Sequence, residues 1–519
     1  MEARRTMNYC ASILLRTPSL FAYKFNITYI WNAFGQCVTP SEIIERLKGL
    51  AKSPVPADLI SYIKQLHNRY GKCMLHGDMY NPKANFHSEY KLGTCEQLSA
   101  WDDIVTLKSK YAKNKLPVLD TRTHPTPSES RSTPNYIEEV LRDYQVDSVS
   151  KFCLPPRPSG FLILPCGAGK TLIAITILLQ VSCRALVLCT SKMSAKQWGN
   201  EFKKWVENSK AESCVEITEH PLFEKKVQYT TPTFKSKLTA DQKLSAYITT
   251  YSKARELIHL SADHFDTVIF DEAHLAPSHL EKIPCIYAYT QRIGLTASLT
   301  RKDNYLLQLH NLVGPKQFEL SWKELQAANA ITVPQCLEVK VPVSDEIRNK
   351  IKKENQTEVK RIAATNPFKN DIVSDLLSKH ESDQVLIFAG YNSQLDYLNK
   401  RYNIDVITGK TPFAIRERLL ESFKEGTISR LGLSKIGSNA LDLPNANIAI
   451  QLSAGNSSRQ EEAQKVGRIM RPKSNNTNCI FYSLVSEDTV EEKISSDRQH
   501  FLIELGIPYT VIHYEDLYD

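Results

Sequence analysis

The chain has 519 residues, 42% hydrophobic and 24% charged, with a formal net charge of +8. It is too long for one ordinary domain, and its composition excludes collagen-like, disordered and disulfide-scaffold classes. The 12 cysteines contain no Cys-x-x-Cys pair, which excludes a zinc ribbon or iron–sulfur ligand set and fits buried reduced thiols such as Cys166, Cys183 and Cys189 in a reducing compartment. The positive balance suits a polyanionic partner without proving one.

Residues 1–20 read as a tail with Arg4, Arg5 and Arg16 against Glu2. Residues 21–92 read as a small, mainly helical domain. Thr39-Pro40-Ser41-Glu42 offers a cap, a proline at the first helical position and a capping-box glutamate, and Ile43, Ile44, Leu47 and Leu50 follow at helical spacing. A second helix from Pro56 to Tyr70 carries Leu59, Ile60, Ile63 and Leu66 on one face and meets Gly71. Residues 93–135 form a linker region, ending in the polar, proline-flanked stretch from Ser128 to Pro134.

Beyond it, apolar strands alternate with helical segments in two series. The first comprises Gly160–Leu164, Ala185–Cys189, Ala246–Thr250, Thr267–Phe270 and Arg292–Leu295. The second comprises Gln384–Phe388, Ile404–Ile407, Ser429–Leu433, Ile448–Leu452 and Cys479–Tyr482. This alternation predicts an α/β fold of two tandem parallel-sheet domains, 136–328 and 329–519. The apolar run from Leu172 to Cys189, broken by Gln180, Ser182 and Arg184, reads as a buried helix followed by a buried strand and not as a membrane span.

The sharpest local signal is Pro165-Cys166-Gly167-Ala168-Gly169-Lys170-Thr171, placed after an apolar strand and before an apolar helix. Gly167 and Gly169 allow backbone N–H groups to turn around phosphates, Lys170 reaches the β- and γ-phosphates, and the Thr171 hydroxyl ligates Mg²⁺. The strict pattern wants a glycine where Leu164 stands. Asp271-Glu272-Ala273-His274 closes another apolar strand. Asp271 is expected to hold Mg²⁺ through water, and Glu272 to polarise the attacking water.

These elements, with others in fixed order, resemble superfamily 2 helicases, and specifically the XPB family. Leu141-Arg142-Asp143-Tyr144-Gln145 looks like the family's Q motif. The resemblance implies that Gln145 reads adenine, a pairing its amide chemistry suits. Thr296-Ala297-Ser298 resembles motif III, and Arg301-Lys302-Asp303 the family's Arg-Glu-Asp element with its central charge reversed. Gln464-Lys465-Val466-Gly467-Arg468-Ile469-Met470-Arg471 resembles motif VI, so Gln464 faces the γ-phosphate while Arg468 and Arg471 stabilise charge on the transferred group. Leu312-Val313-Gly314-Pro315-Lys316 and Phe481-Tyr482-Ser483-Leu484-Val485-Ser486 resemble further family segments, extending the likeness from about Leu20 to Ile512.

The resemblance implies two RecA-like motor domains that use ATP and Mg²⁺, and a thumb-like insertion at 341–366, where a solvated charged helix reads equally well. It also implies an N-terminal domain that docks into a TFIIH-like complex, and a nuclear location. The family's damage-recognition-like region and acidic linker are shortened or absent. By the same likeness Thr190, Ser191, Thr250 and Lys435 contact nucleic-acid phosphates, and His274, Thr296, Ser298, Arg301 and Asp303 couple hydrolysis to strand movement. Such contacts position DNA without reading its sequence. Trp198 is expected either in the core or stacked on a base.

The expected function is a 3′-to-5′ DNA helicase and double-stranded-DNA translocase in transcription initiation and excision repair. Two other readings are an RNA-directed or transcript-release helicase of large-DNA-virus type, and an architectural subunit that binds ATP with little turnover.

Overall fold

The computed structural model describes residues 10–16, 21–35, 38–70, 139–154, 157–165, 167–181, 184–207, 244–260, 264–283, 291–297, 306–328, 334–434, 446–453, 479–504 and 507–517, with short segments and single residues between them. The chain divides into two compact units whose main boundary is Glu319/Leu320, with Arg16–Ser19 and Pro165–Ala168 grouped with the second; the pattern of apolar runs places the boundary at 328/329.

In the first unit the strands are β1 (Ala11–Arg16), β2 (Phe21–Phe25), β3 (Cys73–His76), β4 (Phe86–Tyr90), β5 (Thr94–Leu98), β6 (Val118–Asp120), β7 (Gly160–Ile163), β8 (Arg184–Cys189), β9 (Val215–Thr218), β10 (Leu244–Thr250), β11 (Thr267–Asp271), β12 (Gln291–Thr296) and β13 (Lys316–Glu319). Strands β7 to β13 make one seven-stranded parallel sheet in the order β13-β7-β12-β11-β8-β10-β9. The central strands are apolar without alternation because helices cover both faces. The helix Lys170–Val181 is buried along most of its length, with Ile173, Ile175, Ile177 and Leu178 inaccessible to solvent. It therefore shows no polar face, as its unbroken apolar run implies.

The second unit holds β14 (Gln335–Val341), β15 (Val385–Ala389), β16 (Asp405–Ile407), β17 (Arg430–Ser434), β18 (Ile448–Gln451), β19 (Ile480–Ser486) and β20 (Tyr509–His513). Their order is β16-β17-β15-β18-β19-β14-β20, again all parallel. The ten expected motor strands are all present. Strands β9, β13, β14 and β20 are additional. Strand β13 carries a single large apolar residue, Phe318, because it lies at the sheet edge. Strand β14 alternates, yet its Glu338 is buried and accepts hydrogen bonds from Ser495 Oγ and, at 2.7 Å, Tyr509 Oη.

The helices expected before residue 92 are Pro40–Leu50 and Ala57–Arg69. The capping box forms as read: Glu42 N–H donates to Thr39 Oγ1 at 3.2 Å, and Thr39 N–H to Glu42 Oε2 at 2.7 Å. A third helix, Ile27–Gly35, buries Ile30, Trp31 and Phe34 against them. Asn32 Oδ1 on that helix accepts from Lys316 N–H at 3.2 Å, and Gly35 lies against Pro315. The N-terminal module thus covers the exposed edge of β13, which would otherwise invite pairing with another chain. A four-stranded sheet, β5-β4-β3-β6, falls across residues 73–120. Strands β5 and β6 lie in the stretch read as linker. Their residues, such as Thr94-Cys95-Glu96-Gln97-Leu98, carry too little apolar alternation to announce a strand.

At 341–366 the chain forms two short helices, Asp345–Ile351 and Gln356–Ala364. Asn366 Nδ2 donates to Pro342 O at 2.8 Å, so the excursion leaves and rejoins its unit at one root. The first helix buries no residue, whereas the second buries Ile362, Ala363 and Ala364. Among the described residues, no helix is long and apolar enough to cross a membrane.

Candidate active site

In the first unit the functional candidates gather at the carboxyl ends of β7, β11 and β12, where ligands bind in open parallel sheets. Strand β7 runs into Leu164, which is fully buried and whose N–H donates to Thr296 O at 3.0 Å. The position that departs from the strict P-loop pattern is therefore a core position continuing the β7 ladder, and a glycine there would only remove packing. The turn follows with Gly167 at φ 83° and Gly169 at φ 79°, both left-handed. A Cβ on Gly169 would also stand 2.4 Å from Gln145 Nε2. Glycine is thus required at this point twice over. Lys170 Nζ donates to Leu164 O at 2.9 Å, and Thr171 follows, half-buried, on the first helical turn.

Gln145 is buried on the helix Asp143–Cys153, with its Oε1 accepting Arg142 N–H at 3.0 Å. The structure thus sets Gln145 against the phosphate turn, with its carbonyl oxygen engaged locally.

Asp271 ends β11. Its Oδ2 accepts from Ser194 Oγ at 2.9 Å and Trp198 Nε1 at 3.1 Å, both on the helix Lys192–Glu207. Burial, reinforced by the charge of Glu272, pushes the Asp271 carboxyl up to about 6, against the pull of those two donors and Lys170. Glu272 is left-handed at φ 48°, which turns the chain sharply after the strand. Its Oε2 is buried without a hydrogen-bond partner, 3.4 Å from His274 Nδ1. His274 Nδ1 also lies 3.0 Å from Thr296 Oγ1, which links the acidic turn to the end of β12.

This arrangement fits a magnesium nucleotide. The donors are oxygens, as Mg²⁺ prefers. Two adjacent carboxylates, one with an orphaned buried oxygen, form a concentration of negative charge that a cation relieves.

Thr190 is exposed just beyond β8, and Ser191 Oγ accepts Ser194 N–H at 3.1 Å. Thr250 Oγ1 lies 3.0 Å from Ser252 Oγ, and Tyr251 Oη donates to Asp271 O at 2.7 Å. Trp198 is in the core beside Phe202, which decides between its two expected roles. The sequence reading missed the donors Ser194 and Tyr251 and the indole N–H of Trp198. The signal available was the i, i+4 spacing of Ser194 and Trp198 just after Thr190-Ser191. Ser298, Arg301, Asp303, Lys435, Gln464, Arg468 and Arg471 lie outside the described residues.

The family model described as the ERCC3/RAD25/XPB C-terminal helicase matches residues 325–519, and that of the type III restriction enzyme res subunit matches 138–301. A "DNA 3'-5' helicase XPB" of Mycobacterium tuberculosis is 33% identical over 73% of this chain and 66% of its own length. The chain belongs to the XPB family of ATP-dependent helicases.

Within that family, the protein of the same name from Kineococcus radiotolerans is 29% identical over 97% of this chain and 91% of its own. The XPB subunit of general transcription and DNA repair factor IIH from Schizosaccharomyces pombe is 32% identical over 79% of this chain, which spans 52% of that relative. A solved structure of a Saccharomyces cerevisiae Dbp5 variant bound to RNA and ADP BeF3 has a TM-score of 0.52 at 15% identity, covering 73% of this chain and 92% of that one. The type ISP restriction-modification enzyme LlaBIII bound to DNA has a TM-score of 0.53 at 14% identity, covering 72% of this chain and 31% of its own. These last two likenesses establish the RecA-like fold of the motor sheets.

Proposed function

We propose that this XPB-family helicase is an ATP-driven 3′-to-5′ translocase on double-stranded DNA. The observation that carries the chemistry is Glu272, half-buried beside Asp271, with its Oε2 inaccessible to solvent and lacking a hydrogen bond. Bound Mg-ATP supplies the phosphoryl group that is cleaved. Gly167 and Gly169 turn their backbone toward its phosphates, and Lys170 exchanges Leu164 O for a phosphate oxygen. Thr171 and Asp271 hold the cation. Glu272 would orient the attacking water and take its proton as the new bond to the γ-phosphorus forms and the bridging P–O bond breaks, the electron pair leaving on the β-phosphate of ADP. Gln145 is assigned to the adenine edge, and Gln464, Arg468 and Arg471 to the phosphates.

The turns at Thr190–Ser191 and Thr249–Ser252 offer hydroxyls and backbone N–H groups to a phosphate chain, which predicts sequence-independent, salt-sensitive binding. The bacterial relatives, DNA 3'-5' helicases by name, support DNA as the track. The names of the eukaryotic relatives support a role in transcription and DNA repair within a factor IIH-like assembly; promoter opening, excision repair, docking through the N-terminal module and a nuclear location are what the resemblance to the family implies.

ATP hydrolysis by the purified chain, titrated with duplex DNA and single-stranded RNA, tests the reading. Stimulation by duplex DNA that disappears in Lys170→Ala supports it. Stimulation by RNA alone would favour the transcript-release alternative, and negligible turnover with either nucleic acid would favour the architectural one.

A further inference from the structure

The donors that surround Asp271 come from the helix that follows one of the turns assigned above to the nucleic-acid track and from the other turn itself. The turn at Thr190–Ser191 leaves β8, and the turn at Thr249–Ser252 leaves β10. In the sheet order β11-β8-β10 these strands lie successively to one side of β11. From the first turn, Ser191 Oγ accepts Ser194 N–H at 3.1 Å, and Ser191 O accepts Ala195 N–H at 3.0 Å. Ser191 therefore caps the helix Lys192–Glu207. One turn along that helix, Ser194 Oγ and Trp198 Nε1 converge on the same atom, Asp271 Oδ2, at 2.9 and 3.1 Å. Both lie on one helix face because they are four residues apart. From the second turn, Tyr251 is buried, takes Cys189 O with its N–H at 2.9 Å, and gives its hydroxyl to Asp271 O at 2.7 Å.

We propose that Ser194, Trp198 and Tyr251 are positioning residues that carry the state of the nucleic-acid-contacting turns to the metal-holding carboxylate Asp271. The inference rests on the helicase reading and adds the residues that connect its two substrates.

Two features separate this from ordinary packing. Trp198 already has an apolar neighbour in Phe202, so burying its ring does not require a carboxylate at its nitrogen. Oδ2 takes both donors, which fixes the carboxylate plane. A phosphate held by the Thr190–Ser191 turn pulls on the capped end of the helix. The helix moves as a rigid rod, so Ser194 and Trp198 move together relative to β11. Tyr251 holds the backbone of the same residue from the other turn, so the carboxylate responds to both contacts.

The test uses the full chain and an N-methylanthraniloyl-labelled ADP. Its affinity is read by fluorescence in EDTA and in excess MgCl₂, each with and without a blunt DNA duplex. For Ser194→Ala and Trp198→Phe the expected result is that the affinity gained from Mg²⁺ falls about fivefold to tenfold, while affinity in EDTA stays within about twofold of wild type. Tyr251→Phe is expected to keep the gain without DNA but to lose the change that the duplex produces in wild type. Affinities in EDTA and in Mg²⁺ that fall in step would show that these groups merely hold the fold, and unchanged affinities would show that they do nothing. Either result overturns the inference. Ser194→Ala, the smaller change, keeps the test readable if Trp198→Phe unfolds. If wild type itself gains nothing from Mg²⁺ or ignores the duplex, the helicase reading falls along with the relay. Wild-type responses with unaffected variants remove the relay alone.

Discussion

The two seven-stranded parallel sheets differ in how their most buried carboxylates are partnered. In the second unit Lys369 is nearly inaccessible, yet its Nζ donates to Glu491 Oε2 at 2.6 Å and to Leu452 O at 2.8 Å. Glu491 Oε2 also accepts Ser486 N–H at 3.1 Å. Buried Glu338 is likewise shared among Ser495, Tyr509 and Lys340. In the first unit Asp271 and Glu272 are adjacent like charges, one pushed up to about 6 and the other with a buried oxygen that makes no hydrogen bond and has only His274 Nδ1 at 3.4 Å. A buried charge with a full set of partners is compensated in place, whereas a buried polar atom short of a partner calls for an explanation such as a bound ligand. The two units share a strand order, and they differ at the acidic turn Asp271–Glu272, the one proposed above to hold the nucleotide's cation.

The largest test of this contrast is Glu272→Gln. Removing the base should cut DNA-stimulated turnover by about 10²–10⁴-fold while leaving labelled-ADP binding in place. Turnover within a few fold of wild type would show that Glu272 is not the base. In the second unit, Lys369→Met leaves Glu491 buried and uncompensated, which should cost about 3–5 kcal/mol of stability by denaturant titration. Lys369→Met with Glu491→Leu should recover much of that loss. A double variant no better than the single one would show that the pair is not the compensated unit described.

A third test uses pH. His310 lies buried in the first unit near Lys108, and burial first, then the Lys108 charge, lower it from 6.5 to about 4. Below pH 6.5 the unfolded chain binds this proton and the folded one does not, so stability is fully present above that value. It is lost as pH falls toward 4, to the extent of about 3 kcal/mol. Denaturant midpoints between about pH 7 and about pH 5 should fall less steeply in His310→Gln, and an equal slope would refute the assignment. The smallest effect belongs to the core of the second unit. Ile387→Val should cost about 1 kcal/mol and leave turnover per folded molecule unchanged.

Much of the site was legible because its parts are local. A phosphate turn is a few consecutive residues with glycines where φ must be positive, set between an apolar strand and an apolar helix. Gly167, Gly169, Lys170 and Thr171 announce themselves in that way, and Asp271 does so at the end of β11. The ten apolar strands were readable for a related reason, since burial on both faces leaves an unbroken hydrophobic run. Edge strand β13, with its lone large apolar residue Phe318, leaves no such mark. Strand β14 conceals itself with a glutamate whose partners come from residues 495 and 509.

Sequence alone therefore determined the family, the two α/β sheets and the acid, lysine and glycine positions, because each is written in adjacent residues or a repeating period. Only the tertiary structure decided that Ser194, Trp198 and Tyr251 grip Asp271, that Gln145 lies against Gly169, and that Asn32 caps the edge of β13. Those contacts follow from the order in which strands pair and from the module that covers the sheet edge. They join residues tens to hundreds of positions apart, which no local pattern of polarity encodes.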